Sequence, residues 1–241
     1  MEIVKLESPA EVARRAAVIV ADSVSEKPDL VLGLATGKSV IGLYRELARM
    51  CERRKIDFSR VQTFNLDEYA DLSPTSRMSL RSFMDENFFN LVNVKKSNIH
   101  FLRGDCRDSS DECGRYEKAI KDLGGIDLQI LGIGRNGHIG FNEPGSKLKS
   151  RTRRVKLSVV TRRDNAGRFG TWRDVPAEAL TVGVRTILSA RKILLLATGE
   201  SKEDAVRRAV RGRVGEKVPA SFLQRHKNAV FLLDSEAARG L

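Results

Sequence analysis

Apolar positions along this chain switch between two periods. From Pro9 to Ser25 they recur every three or four residues behind Ser8, which predicts an amphipathic helix with a serine cap. Asp29 to Leu34 (DLVLGL) is a short apolar run and reads as a strand, after which Ser39 to Arg53 returns to the helical period. The exchange continues with strands at Val61 to Leu66, Asp127 to Ile133, Lys192 to Ala197 and Ala229 to Leu233, and helices at Ser79 to Leu91 and Lys202 to Arg211. Strand followed by helix, repeated, predicts an α/β fold with a parallel sheet and helices on both faces. Gly124 to Gly134 (GGIDLQILGIG) ends apolar without a polar face, as a strand covered on both sides requires. Arg154 to Asp174 breaks the rhythm, being polar, arginine-rich and without a clear period, and is read either as a mobile lid or as a long surface excursion.

Composition narrows the class. At 241 residues and 41% hydrophobic, the chain suffices for one sizeable core, so a single domain over residues 1–241 is expected. The formal net charge of +12 suggests an anionic partner, yet the 43 basic residues are spread among 31 acidic ones rather than gathered in an arm, which argues against nucleic acid. The densest basic stretch, Lys147 to Arg163, is either a solvated face or a phosphate contact. Cys51, Cys106 and Cys113 are odd in number and match no common metal or redox spacing, so neither disulfides nor a bound metal is expected. The first residues lack the pattern of a signal peptide and no apolar run approaches membrane-spanning length; a cytoplasmic protein with no membrane partner is the expectation.

Three loops at the carboxyl ends of the strands carry polar groups, and in an open α/β sheet those ends gather along one edge. Leu34 to Val40 (LATGKSV) is a turn entering a helix, where backbone N–H groups, hydroxyls and Lys38 suit an anion; its glycine spacing is one residue short of a nucleotide-binding loop, and a plain cap by Thr36 or Ser39 is the bland alternative. After Val61 to Leu66 come Asp67 and Glu68, whose side chains point opposite ways in an extended segment: one can face a cleft as a general base while the other caps a loop. The third loop, GRNGHIGFNEPGS (Gly134 to Ser146), combines glycines with Asn136, His138 and Glu143 and suggests an imidazole held by a carboxylate at one nitrogen and free at the other.

NLDEY at 65–69, GRNGHIGFNEPGS at 134–146, SRTR at 150–153 and ALTVGVRTIL at 179–188 together resemble the glucosamine-6-phosphate deaminase family, from LGLATGKS at 32–39 to ATGESKEDAV at 197–206. The resemblance implies a modified doubly wound, Rossmann-like, mostly parallel sheet. It also implies conversion of glucosamine 6-phosphate and water to fructose 6-phosphate and ammonia without an organic cofactor. By position it makes Asp67 the base that moves the proton from C2 to C1, His138 the ring-opening group and Glu143 the partner that orients and charge-balances it, with Asn136 in the place where some members carry Asp. It assigns Thr36, Gly37, Lys38, Ser39, Arg168 and Lys202 to a phosphate pocket.

The sequence departs from the family pattern at several points. Leu80 follows Ser79 where an aromatic residue is usual, and TGKSV lacks the common Gly and Pro. Ser146 and Arg153 match parts of the effector site of the regulated hexameric members, but Val155 replaces a lysine and the chain stops at Leu241, so an allosteric hexamer is not expected; the oligomeric state itself is left open. Two rival readings share the architecture: a 6-phosphogluconolactonase, which continues differently after the histidine, and a non-catalytic sugar-phosphate-sensing domain, which would need a helix-turn-helix segment.

Overall fold

A computed structural model describes residues 1–241. Its strands are β1 (Glu2–Leu6), β2 (Val31–Leu34), β3 (Gln62–Asn65), β4 (Asp67–Tyr69), β5 (Ile99–His100), β6 (Leu128–Leu131), β7 (Arg153–Lys156), β8 (Glu178–Thr181), β9 (Lys192–Ala197) and β10 (Ala229–Asp234). The helices are α1 (Pro9–Glu26), α2 (Lys38–Glu52), α3 (Leu80–Asn87), α4 (Ser109–Asp122), α5 (Val159–Asn165), α6 (Val184–Leu188) and α7 (Glu203–Arg211). Seven strands form one sheet, ordered β1-β10-β9-β6-β2-β3-β5, and every neighbouring pair in it is parallel. With helices on both sides, this is the α/β architecture expected.

The centre of the sheet explains its sequence. Strands β2, β6 and β10 are buried at every position, which is why they read as continuous apolar runs. They share a core cluster of 57 buried residues with the inward faces of α1 and α2. Helix α1 begins as expected: Ser8 accepts a hydrogen bond from the Glu11 N–H, and Val12, Ala16, Val20 and Val24 form its buried stripe.

A second sheet of three antiparallel strands, ordered β4-β8-β7, stands beside the first. It has its own small cluster of Tyr69, Leu80, Phe141, Leu157, Val175 and Ala179. Residues 154–174, whose sequence lacks a clear period, begin inside this sheet. The segment starts within β7, continues as α5 capped by Ser158, and ends in a turn whose Phe169 packs edge-on against Tyr69 at 5.2 Å.

The order of the large sheet places the functional edge. From β2 the chain proceeds outward through β3 to β5, and from β6 it proceeds the other way through β9 and β10, so the winding reverses between β2 and β6. Loops leaving the carboxyl ends of two strands that part in this way open a crevice, the usual ligand site of such sheets.

Candidate active site

The β2 loop supplies one wall of the crevice. Gly37 adopts φ 118°, a conformation that favours glycine, and α2 starts at the next residue without any side-chain cap. Thr36 and Ser39 therefore do not cap the helix, and the first N–H groups of α2 are left without a side-chain partner, as an anion site requires. Across the crevice, the turn after β9 uses Gly199 at φ 88° and presents Lys202, half-buried. Burial lowers the Lys202 pKa; Asp164 opposes that shift, while Arg135 and Lys38 add to it. Lys38 and Lys202 thus belong to one cationic group with Arg135, whose Nε donates to Asp164 Oδ2 at 2.9 Å.

Asp67 and Glu68 occupy β4 and point opposite ways, as the extended backbone requires. Glu68 turns to the start of α3 and accepts from the N–H groups of Tyr69 (2.8 Å), Leu80 (2.9 Å) and Arg81 (2.9 Å), while Ser79 caps the same helix. Its role is structural, although burial still pushes its pKa up to about 7 against those three donors. Asp67 is 4% exposed and faces the third loop, where a Cβ on Gly140 would lie 3.1 Å from its Oδ2. Burial, and then the neighbouring Glu68 charge, push the Asp67 pKa up to about 8, opposed by the nearby Phe141 N–H, which itself donates to Thr181 Oγ1. An unsolvated carboxylate of this kind is a strong base once ionised, and an entering cationic ligand favours that ionisation.

The third loop builds the imidazole site. Asn136 Nδ2 donates to Glu143 Oε2 at 2.7 Å, so its Oδ1 faces His138, accepting from the backbone N–H at 3.1 Å and bonding ring Nδ1 at 2.8 Å. Because Glu143 only accepts, the amide orientation follows, and with it the proton on Nδ1 and the lone pair on Nε2. The expectation that Glu143 holds the imidazole directly is corrected: its Oε2 is 3.8 Å from Nδ1 and acts through Asn136. Burial lowers the His138 pKa, partly offset by Glu143, so the neutral ring is the resting form at neutral pH. Gly134 makes room for it, since a Cβ there would overlap the ring. Its backbone is not left-handed, so Gly134→Ala should keep the fold, measured by circular dichroism, while displacing His138 and lowering turnover at least about tenfold.

The family model for glucosamine-6-phosphate isomerases and 6-phosphogluconolactonases matches residues 6–232. The chain belongs to that family. Among its relatives, a protein named glucosamine-6-phosphate deaminase 2 from Giardia intestinalis is 51% identical, covering 97% of this chain and 91% of its own length. A glucosamine-6-phosphate deaminase from Halothermothrix orenii is 48% identical over 99% of both chains. A solved structure described as a monomeric glucosamine-6-phosphate deaminase superposes with a TM-score of 0.98 at 45% identity over 100% of both chains. A 6-phosphogluconolactonase from Thermotoga maritima gives 0.76 at 21% identity, covering 97% of this chain and 99% of that one, a likeness of fold alone.

Within this isomerase and lactonase fold, one residue expected in the phosphate pocket is engaged elsewhere on the protein. Arg168 is not grouped with Lys38 and Lys202; its Nη1 donates to Glu86 Oε2 at 3.2 Å, its Nη2 donates to the Arg77 carbonyl, and its guanidinium lies over the Phe83 ring. Its buried Nε has no partner. Sequence reasoning also missed Thr161, whose Oγ1 is 3.3 Å from His138 Nδ1, and the Ser158 N–H, which donates to Glu143 Oε1 at 3.1 Å. A signal was present: Ser158 and Thr161 have the spacing of a helix cap and its third residue, inside the stretch read as lacking a period.

Proposed function

We propose that this protein is a glucosamine-6-phosphate deaminase that converts glucosamine 6-phosphate and water to fructose 6-phosphate and ammonia. The observation that carries the reading is near-full-length identity of 45–51% to proteins of that name, against 21% for a lactonase of the same fold. The site chemistry supports it. The uncapped start of α2, with Thr36, Gly37, Lys38, Ser39 and Lys202, takes the phosphate. His138 Nε2 accepts the proton of the C1 hydroxyl and delivers one to the ring oxygen, opening the sugar to an aldehyde. Asp67 removes the proton from C2 of the open chain, the electron pair forms the C1–C2 double bond, and the carbonyl oxygen is protonated. Return of the proton to C1 leaves an imine at C2, and water adds there and expels ammonia, giving the ketone. The steps as written draw on side chains, substrate and water, without a cofactor.

The same reading takes residues 1–241 as one domain in which the segment 154–174 closes over the imidazole side of the crevice, with the free sugar phosphate as its small-molecule partner and the cytoplasm as its place. No helix is long and apolar enough to cross a membrane. Purified protein should release ammonia from glucosamine 6-phosphate and show little hydrolysis of 6-phosphogluconolactone; the opposite pattern would assign it to the lactonases. Lys202→Ala should raise KM about tenfold or more and change kcat by less than about threefold, because a phosphate remote from C1 and C2 is held alike in ground and transition states. Steady-state kinetics, with inorganic phosphate as competitor, read that split.

A further inference from the structure

The two antiparallel pairings of the small sheet share a register. Asp67 on β4 stands opposite Thr181 on β8, and Thr181 stands opposite Arg153 on β7. Residues directly opposite in antiparallel strands project from the same face, so these three side chains form a row across the sheet. The loop that carries the imidazole site lies along the row, passing close to Asp67 and hydrogen-bonded to Thr181 and Arg153.

At the Asp67 end, a Cβ on Gly140 would lie 3.1 Å from both Asp67 Oδ2 and Thr181 Oγ1, so only glycine lets the loop pass this close. In the middle, Thr181 Oγ1 accepts from the Phe141 N–H at 3.0 Å. At the far end, Arg153 Nη1 donates to Asn142 Oδ1 at 2.9 Å and Nη2 donates to Ser146 Oγ at 3.0 Å, one on either side of Glu143. Asn142 is fully buried and also donates from Nδ2 to the carbonyls of Ile139 (3.0 Å) and Val182 (2.8 Å). Arg153 makes these bonds, and a longer one to the Arg151 carbonyl, with no carboxylate partner of its own. A guanidinium whose fork is spent on neutral acceptors of one loop adds geometry rather than ion pairing.

We infer that Thr181 and Arg153 are positioning residues for the deaminase reaction, holding the loop Ile139 to Ser146 so that Glu143, Asn136 and His138 keep their distance and direction relative to Asp67. The loop bonds to Asp67's row at one end and to His138 at the other, through Glu143 and Asn136. The inference rests on the proposed function for its kinetics, but not for the state of the imidazole. Besides Asn136, the groups facing the ring are Glu143, Thr161, Lys202 and Asp164, none of which contacts Arg153.

The test compares Arg153→Met, Arg153→Lys and Thr181→Val with Thr181→Ser, the last retaining the hydroxyl. With parent protein active on glucosamine 6-phosphate, Arg153→Met and Thr181→Val should each lower kcat about tenfold, with KM and inhibition by inorganic phosphate within about twofold of parent. Thr181→Ser should recover most of the loss. Combined with Glu143→Gln, Arg153→Met should cost less than about a further twofold, because the carboxylate through which it acts is already gone. In nitrogen-15 spectra of the imidazole, the parent should show His138 as the Nδ1–H tautomer, and Arg153→Met a mixture of tautomers. Arg153→Lys covers the case in which the Met variant fails to fold, and should show an intermediate mixture. Unchanged kcat, losses that multiply fully in the double variant, or an unaltered tautomer in both Arg153 variants would overturn the inference. Absence of deaminase activity in the parent would instead refute the proposed function, leaving the tautomer measurement to decide the positioning role.

Discussion

Asp67→Asn should lower turnover about a hundredfold or more while making the fold more stable, and the gain should grow with pH. The first half follows from chemistry: an amide cannot take the C2 proton, and the other carboxylate on the strand, Glu68, is committed to three backbone N–H groups on the far side. The second half follows from the buried carboxyl. Its pKa is about 8 in the fold against 3.8 for an unperturbed aspartate, so across that interval the native state binds more protons than the unfolded chain. Native stability contributed by this group is therefore full below about 4 and is lost as pH rises towards 8. The asparagine variant lacks that loss. Melting temperatures of parent and variant should nearly coincide at pH 4 and diverge with the variant higher, levelling off above pH 8. The limb of kcat/KM that rises with alkalinity in the parent should disappear from the residual activity. A variant that is less stable at pH 8 than the parent, or one that keeps full turnover, would remove Asp67 from the role of a buried base.

What the sequence disclosed of this arrangement depended on how each element is covered. Lys192–Ala197 reads as a strand with the bounds the structure gives it, because five of its six residues are buried. The edge strands Glu2–Leu6 and Ile99–His100 were missed: the first carries exposed charges, Glu2 and Lys5, on both faces, and the second is two residues long. Arg153–Lys156 alternates half-buried with exposed positions, and its cationic side chains hide a strand whose partners lie 22 or more residues away in sequence. Helix Ser109–Asp122 was missed for a similar reason, since only Glu112, Cys113, Tyr116 and Ile120 are buried in a polar sequence that includes Gly114. In the site, Asn136, His138 and Glu143 were legible as a group because one turn carries them. The order in which they bond was not legible, because it depends on the loop folding back so that the amide enters between imidazole and carboxylate. Arg168 was carried over by position alone, and its bond to Glu86 was not legible, because likeness transfers a residue and not the direction in which its guanidinium points. Thr181 and Arg153 become visible only when the register of the small sheet is known.

The imidazole gives the other large effect. His138→Gln should slow reaction of the cyclic substrate by about a hundredfold to ten-thousandfold, the range expected for loss of a general acid and base. The same variant should bind an open-chain analogue, an aminoglucitol phosphate, within about threefold of the parent, because that ligand has no ring to open and the α2 and Lys202 anion site is untouched. A ring that merely supports the loop would behave otherwise, with turnover and analogue affinity falling together. Asn136→Asp separates orientation from charge at the same place. The amide now donates to Glu143 Oε2 at 2.7 Å and receives the Nδ1 proton at 2.8 Å. An aspartate there sets two carboxylates in contact beside the imidazole and favours its protonated form, opposing the burial that lowers the His138 pKa in the parent. The imidazole titration, followed by NMR of the ring C–H protons, should therefore move to higher pH. Turnover near neutrality should fall, because more of the ring is protonated and Nε2 then lacks the lone pair that takes the C1 hydroxyl proton. Raising the pH should restore it. A titration that stays in place, or moves to lower pH, would mean that Asn136 does not lie between Glu143 and the ring in solution, and the direction assigned to the free nitrogen would fall with it.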